Sequence, residues 1–238
     1  MAAMRDATTL HLETRGLTRT YGGLHAVEDV DFALERGVIH ALIGPNGAGK
    51  STFVGMVSGR IEASSGQVIF EGRDISDLPA HKRIQLGMAY TFQITAVYAN
   101  LSLAQNIALA LRDRSRDKAL AALTRIGLED RIDQIAGDLS YGHQRLLEIA
   151  MGVAQKPRLL ILDEPTQGLA ESEIAQFQDL IRSLAGETTI LLIEHNMDVV
   201  MALAEKITVL NMGQVLATGT PDEIQANAAV QAAYLGVE

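Results

Sequence analysis

The sequence predicts an α/β fold built on a largely parallel central sheet, and three stretches carry that prediction. Val38-Ile39-His40-Ala41-Leu42-Ile43 is a short apolar, β-rich run that enters a glycine-rich stretch, Gly44 to Gly49, and then a helix-compatible run from Ser51 to Val57. From residue 159 onward apolar runs and helical patterns alternate, and strands separated by helices pair in parallel because each crossover needs a connecting helix. Between these two regions, over residues 94–157, the apolar positions switch to helical spacing, which reads as a helical block inserted between strands.

In chain order, the opening third reads as β: Leu10 to Thr14, then Ala26 to Leu34 with near alternation, the strand Val38 to Ile43, and Gln67 to Phe70 ending at Glu71-Gly72. Gly87 to Gln93 is a further strand. Helical spacing then runs through Leu103, Ile107 and Leu111, and again through Leu120, Leu123 and Ile126. Leu146, Leu147, Ile149, Ala150, Val153 and Ala154 line one apolar face of a third helix. The alternating region predicts strand 159–163, helix 171–185, strand 188–194, helix 196–204, strand 207–211 and strand 215–217, followed by one alanine-rich helix over 223–234. A chain of 238 residues accommodates all of this in one large domain.

Composition narrows the function classes. A formal net charge of −9, with no large Lys/Arg cluster, argues against a nucleic-acid partner, whose phosphates call for a basic face. With no cysteine, disulfides and thiolate metal sites are excluded, which suits a reducing compartment. Met1 to Thr9 lacks the apolar core of a secretory signal, and runs such as Leu159 to Leu162 and Ile190 to Ile193 are far too short to span a bilayer. Any membrane contact is therefore expected to go through a partner.

Two stretches carry the chemistry. Gly44-Pro45-Asn46-Gly47-Ala48-Gly49-Lys50-Ser51-Thr52 fits G-x-x-x-x-G-K-[ST], in which small residues let successive backbone N–H groups curl around the phosphates of a nucleotide. Lys50 adds a point charge at the outer phosphates, Ser51 offers a hydroxyl to magnesium, and the following helix aims its N-terminus at the anion. Downstream, Leu159-Leu160-Ile161-Leu162-Asp163-Glu164-Pro165 is an apolar strand that delivers two carboxylates at its C-terminal end, the edge at which open α/β sheets hold ligands. One acid can hold a magnesium shell while its neighbour orients an attacking water.

These residues, with four companions in the same order, resemble the ATP-binding cassette (ABC) ATPases over nearly the whole chain. The resemblance implies a P-loop NTPase fold with a mostly parallel core sheet, an antiparallel β subdomain and an inserted α-helical subdomain. It divides the single domain 1–238 into a RecA-like core plus β subdomain (1–93 and 158–238) and a helical subdomain (94–157). It makes Gly44 to Thr52 the Walker A loop, Asp163 the Walker B magnesium acid and Glu164 the catalytic base. Tyr21, in Arg19-Thr20-Tyr21-Gly22-Gly23, falls where the family stacks an aromatic ring on adenine. Gln93, in Tyr90-Thr91-Phe92-Gln93, corresponds to the Q-loop residue that senses magnesium and water and faces the transmembrane partner, and His195, after Ile193-Glu194, matches the switch histidine at the γ-phosphate. Leu139-Ser140-Tyr141-Gly142-His143-Gln144 looks like the signature loop, with Tyr141 in place of the first glycine and His143 inserted relative to the short form. In the family this loop, here through Ser140 and Gly142, closes over ATP held by a second subunit. Ala170 is a second departure, standing where many members place an aspartate, and implies weaker or asymmetric coupling between sites.

Within the family, the Ser-Tyr-Gly signature, Glu194-His195-Asn196-Met197 and the run from Gly219 to Gly236 look most like the ATPases of branched-chain amino-acid importers. That resemblance implies ATP and Mg2+ as ligands, two transmembrane permease subunits, a second ATPase subunit of the same or a paralogous chain, and an extracytoplasmic solute-binding protein. It places the chain in the cytoplasm, peripheral on the inner face of the cell membrane. ATPases serving urea or amide uptake, or lipopolysaccharide export, share much of the pattern. A soluble P-loop kinase would have no use for the signature loop.

Overall fold

Turn residues punctuate the apolar runs and set the element order. The computed structural model describes residues 10–91 and 97–235. The first part comprises β1 (Leu10–Tyr21), β2 (Leu24–Glu35), β3 (Ile39–Ile43), α1 (Lys50–Val57), β4 (Ser65–Phe70), β5 (Arg73–Asp74), α2 (Ala80–Gln85) and β6 (Met88–Thr91). Next come the helices α3 (Leu103–Leu111), α4 (Arg116–Thr124) and α5 (Tyr141–Ala154). The last part is β7 (Leu159–Asp163), α6 (Glu171–Leu184), β8 (Thr189–Ile193), α7 (Met197–Leu203), β9 (Lys206–Asn211), β10 (Gln214–Gly219), α8 (Pro221–Gln225) and α9 (Ala228–Leu235).

Among the described residues six strands form the central sheet in the order β10-β9-β3-β8-β7-β6, parallel except for the β10 edge, so the C-terminal ends of β3, β7 and β8 share one rim. Successive residues of a strand face opposite sides, and this sheet buries both. Leu160 and Leu162 of β7 join Ile190 and Leu192 of β8 in a core shared with α3 to α6. Leu159, Ile161, Leu191 and Ile193 point the other way, into a core with α1, β1, β2 and β4. Each such side chain contributes roughly 1.5–3 kcal/mol on burial, which explains why continuous apolar runs rather than alternating ones mark these strands. A second, antiparallel sheet has the order β2-β1-β4-β5.

The structure departs from the sequence reading at three places, each for a local reason. The first two strands are far longer than their alternation suggests, because register shifts between Thr14 and Leu17 and between Leu17 and Arg19 interrupt the period of two. The single helix expected over 223–234 is two, since Thr220 caps the start of α8 and the Asn227 side chain accepts from the N–H groups of Ala229 and Val230 to begin another. The short α2 was not foreseen. It carries the buried Arg83, whose guanidinium donates to the carbonyls of Met56 and Val57 at 2.7 Å each and so closes the C-terminal end of α1. Burial lowers the Arg83 pKa to about 10, which leaves it cationic at neutral pH.

Candidate functional site

The glycine loop is shaped by contacts its side chains could not survive. Gly49 has φ 98°, and a Cβ there would stand 2.4 Å from the Ala26 carbonyl oxygen on β2. Gly44 is as constrained, with a Cβ falling 2.2 Å from the Leu210 carbonyl. Held between β2 and β9, the loop delivers α1 with its first-turn N–H groups facing outward, and those groups have no acceptor within their own helix. Asn46, Gly47 and Ser51 are exposed, Pro45 and Thr52 are half-buried, and Ala48 anchors the loop in the core. Lys50 is folded over the loop, its Nζ donating to the carbonyls of Gly44 at 2.7 Å and Pro45 at 3.1 Å. Burial lowers its pKa, and the carboxylates of Glu164 and Asp163 oppose that shift. The ammonium thus rests on the loop carbonyls, in the field of the two acids.

Asp163 ends β7, buried. Its Oδ2 accepts from the Tyr90 hydroxyl, while Oδ1 is buried with no hydrogen-bond partner among the described residues. Burial raises its pKa; the Tyr90 bond opposes this and the neighbouring Glu164 charge adds to it. The orphaned Asp163 oxygen and the hydroxyl of the exposed Ser51 are hard oxygen donors of the kind a divalent cation takes, so these residue types fit magnesium. The next residue, Glu164, has φ 48°, a left-handed conformation costing roughly 1–2 kcal/mol outside glycine. Its N–H bonds the Ile193 carbonyl at 2.9 Å, which ties this turn to the end of β8.

At the end of β8, Glu194 is fully buried and accepts from the N–H groups of Thr166, His195 and Asn196 at 3.0, 3.0 and 3.2 Å. One carboxylate therefore ties the turn after Asp163-Glu164 to the turn bearing the exposed His195. The rim brings together Gly44 to Thr52, Asp163, Glu164 and His195. Tyr21 lies at the end of β1, 44% exposed, with the Arg19 guanidinium 4.5 Å from its ring centroid. Gln93 lies outside the described residues.

Ser140 and Gly142 are not on this rim cluster. They begin α5, against the first turn of α6. The Ser140 hydroxyl accepts from the His143 N–H at 3.2 Å, meets the His143 ring Nδ1 at 2.9 Å and donates to Glu173 Oε1 at 3.1 Å. Arg145, one turn later and buried, donates to the Asp163 carbonyl at 2.9 Å and to Glu148 at 2.6 Å. It fastens the signature helix to the end of the strand bearing the acids.

The family model described as ABC transporter matches residues 27–167, from β2 through the acids. The chain belongs to the ABC transporter family. Residues 214–238 match a second model, described as branched-chain amino acid ATP-binding cassette transporter. The cassette is 36% identical to the high-affinity branched-chain amino acid transport ATP-binding protein BraF of Pseudomonas aeruginosa, over 94% of this chain and 97% of that one. It is 35% identical, with the same coverage, to the corresponding protein LivG of Escherichia coli K12. A crystal structure of the ADP conformation of MJ1267, an ATP-binding cassette of an ABC transporter, superposes with a TM-score of 0.87 at 26% identity, covering 97% of this chain and all of that one. The cassette is accordingly a nucleotide-binding ATPase of the ABC type. Among the described residues no helix is long and apolar enough to cross a membrane.

Five functional neighbours escaped the sequence reading. Tyr90 reads as a strand residue, Glu194 as a strand end, and Glu173 as one of two acids in a helix start. Arg145 and Glu148 did leave a signal, two opposite charges three apart beside an apolar helix face.

Proposed function

We propose that this cassette is the ATP-hydrolysing subunit of an importer for branched-chain amino acids, working on the inner face of the membrane with two permease subunits, a second cassette and an extracytoplasmic binding protein. The observation that carries the cargo is the match of residues 214–238 to a model specific to branched-chain amino acid cassettes, and the names of the relatives agree with it.

The residues support a division of labour between two cassettes. Tyr21 stacks on adenine, and the backbone N–H groups of Gly47 to Ser51 with Lys50 hold the phosphates. Ser51, Asp163 and Gln93 are the residues to hold Mg2+, which when bound neutralises charge on the transferred phosphoryl group. Ser140 and Gly142 of the second cassette complete the site, the helix start of α5 supplying N–H donors where charge develops on the γ-phosphate. Glu164 accepts a proton from the attacking water as it lines up on the phosphorus, and His195, held by Glu194 through the backbone, contacts the γ-phosphate. The helical block over 94–157 moves as a body when the two cassettes close and passes that motion to the permease. Deleting the gene and measuring uptake of radiolabelled leucine and urea tests the reading. Loss of leucine uptake with urea uptake intact is expected; loss of urea uptake alone would reassign the cargo.

A further inference from the structure

The seat at the start of α5 already holds an anion. A Cβ built on Gly142 would fall 2.0 Å from both Cδ and Oε2 of Glu173 and 2.2 Å from Oε1, so the missing side chain leaves room that the Glu173 carboxyl group fills. Its Oε1 accepts from the Ser140 hydroxyl at 3.1 Å, and its Oε2 accepts from the Ala170 N–H at 3.0 Å. Ser140 has one proton to donate, Glu173 Oε1 and the His143 ring Nδ1 both lie within its reach, and the His143 N–H already occupies an acceptor lobe, so the hydroxyl is committed inside its own chain. Residue 170, an alanine rather than an acid, sets no second carboxylate beside Glu173.

We propose that the Glu173 carboxylate is a latch on the signature loop: in the single cassette it takes the position at Ser140 and Gly142 that the γ-phosphate on the second cassette takes on closure, so ATP must displace it before the two cassettes join. The proposal rests on the reading of Ser140 and Gly142 given under Proposed function. Two anions cannot share the seat. A carboxylate left in place beside a γ-phosphate would repel it, whereas a displaced one frees the Ser140 proton and the space over Gly142 together. Displacement also releases the Ala170 N–H, so the segment after Asp163-Glu164 is freed in the same step. The latched form is binding-incompetent, and apparent affinity falls by the fraction of chains that are latched.

The test is dimerisation of the full chain followed by sedimentation against Mg-ATP concentration, in a Glu164→Gln background that arrests hydrolysis, with and without Glu173→Gln. The glutamine keeps the shape and can still accept from Ala170, but removes the charge. The latch predicts that Glu173→Gln lowers the Mg-ATP concentration for half-dimerisation by roughly threefold or more, with the melting temperature and the affinity of the single cassette for a fluorescent ATP analogue unchanged. Glu173→Ala should move the midpoint in the same direction. If the parent dimerises but neither variant lowers the midpoint, or either raises it, Glu173 orients Ser140 instead and the latch is wrong. If the parent itself stays single at saturating Mg-ATP, the split-site reading fails and the latch with it.

Discussion

At the scale of single residues, chemistry divides between two loops that the chain does not bring together. In the proposed reading Lys50 faces the phosphates of its own cassette and Ser140 those of another. Lys50→Ala removes a charged donor, an interaction of about 1.5–3 kcal/mol, and should weaken ATP binding to the single chain by roughly 10- to 150-fold. Ser140→Ala should leave that affinity within about twofold while cutting turnover at least about a hundredfold, the size of effect seen when one transition-state donor is lost. Equilibrium binding of a fluorescent ATP analogue beside phosphate release measures both; equal losses of affinity in the two variants would put Ser140 on the wrong site. The residues of the glycine loop and the acid pair were legible in the sequence because their spacing is itself the chemistry. Glu194 and Glu173 were not, since each acts through a backbone turn or a loop from a different part of the chain, and no local pattern announces such a meeting.

At the scale of elements, the decisive joint lies between α5 and the end of β7. Arg145 is buried there with its charge answered by Glu148 and its other donors spent on the carbonyls of Asp163 and Pro165. Arg145→Ala would remove the cation that Glu148 meets at 2.6 Å and take this donor from those carbonyls, a loss of about 3–5 kcal/mol. Removing both charges with Glu148→Ala should recover part of that, because no uncompensated carboxylate then remains. Urea unfolding midpoints of the wild type, the single and the double variant decide it; a double variant less stable than Arg145→Ala would contradict the account. The parallel strands of the second half were legible as apolar runs because both sheet faces are covered. The antiparallel strands were read too short, since bulges break their alternation, and α2 was missed because its worth lies in one arginine that closes another helix rather than in an apolar face.

At the scale of the whole molecule, two buried histidines couple stability to pH. Burial, with the nearby Arg36 and Arg158 outweighing Glu71, lowers the His11 pKa to about 4, and burial with Lys206 lowers that of His40 to about 3. Both are neutral in the folded chain down to those values, whereas in the unfolded chain they take up a proton below about 6.5. Stability from these groups is therefore complete above pH 6.5 and is lost as pH falls toward the folded values, by up to about 1.4 kcal/mol per pH unit for each histidine. Thermal unfolding between pH 7 and pH 5 should show a falling midpoint, with a shallower slope in His40→Gln; equal slopes would remove His40 from the explanation. Such coupling leaves the largest claim untouched: the ATP site is complete only between two cassettes, and Glu164 drives hydrolysis there. Glu164→Gln keeps shape and reach but removes the charge that draws a proton from water, so ATP-driven closure is no longer released. The direct measurement is sedimentation of Glu164→Gln with Mg-ATP and with Mg-ADP, beside phosphate release from the same preparation. The account predicts dimer mass with Mg-ATP alone and turnover at least about a hundredfold below wild type. Wild-type turnover, or a single-chain mass at saturating Mg-ATP, would contradict it.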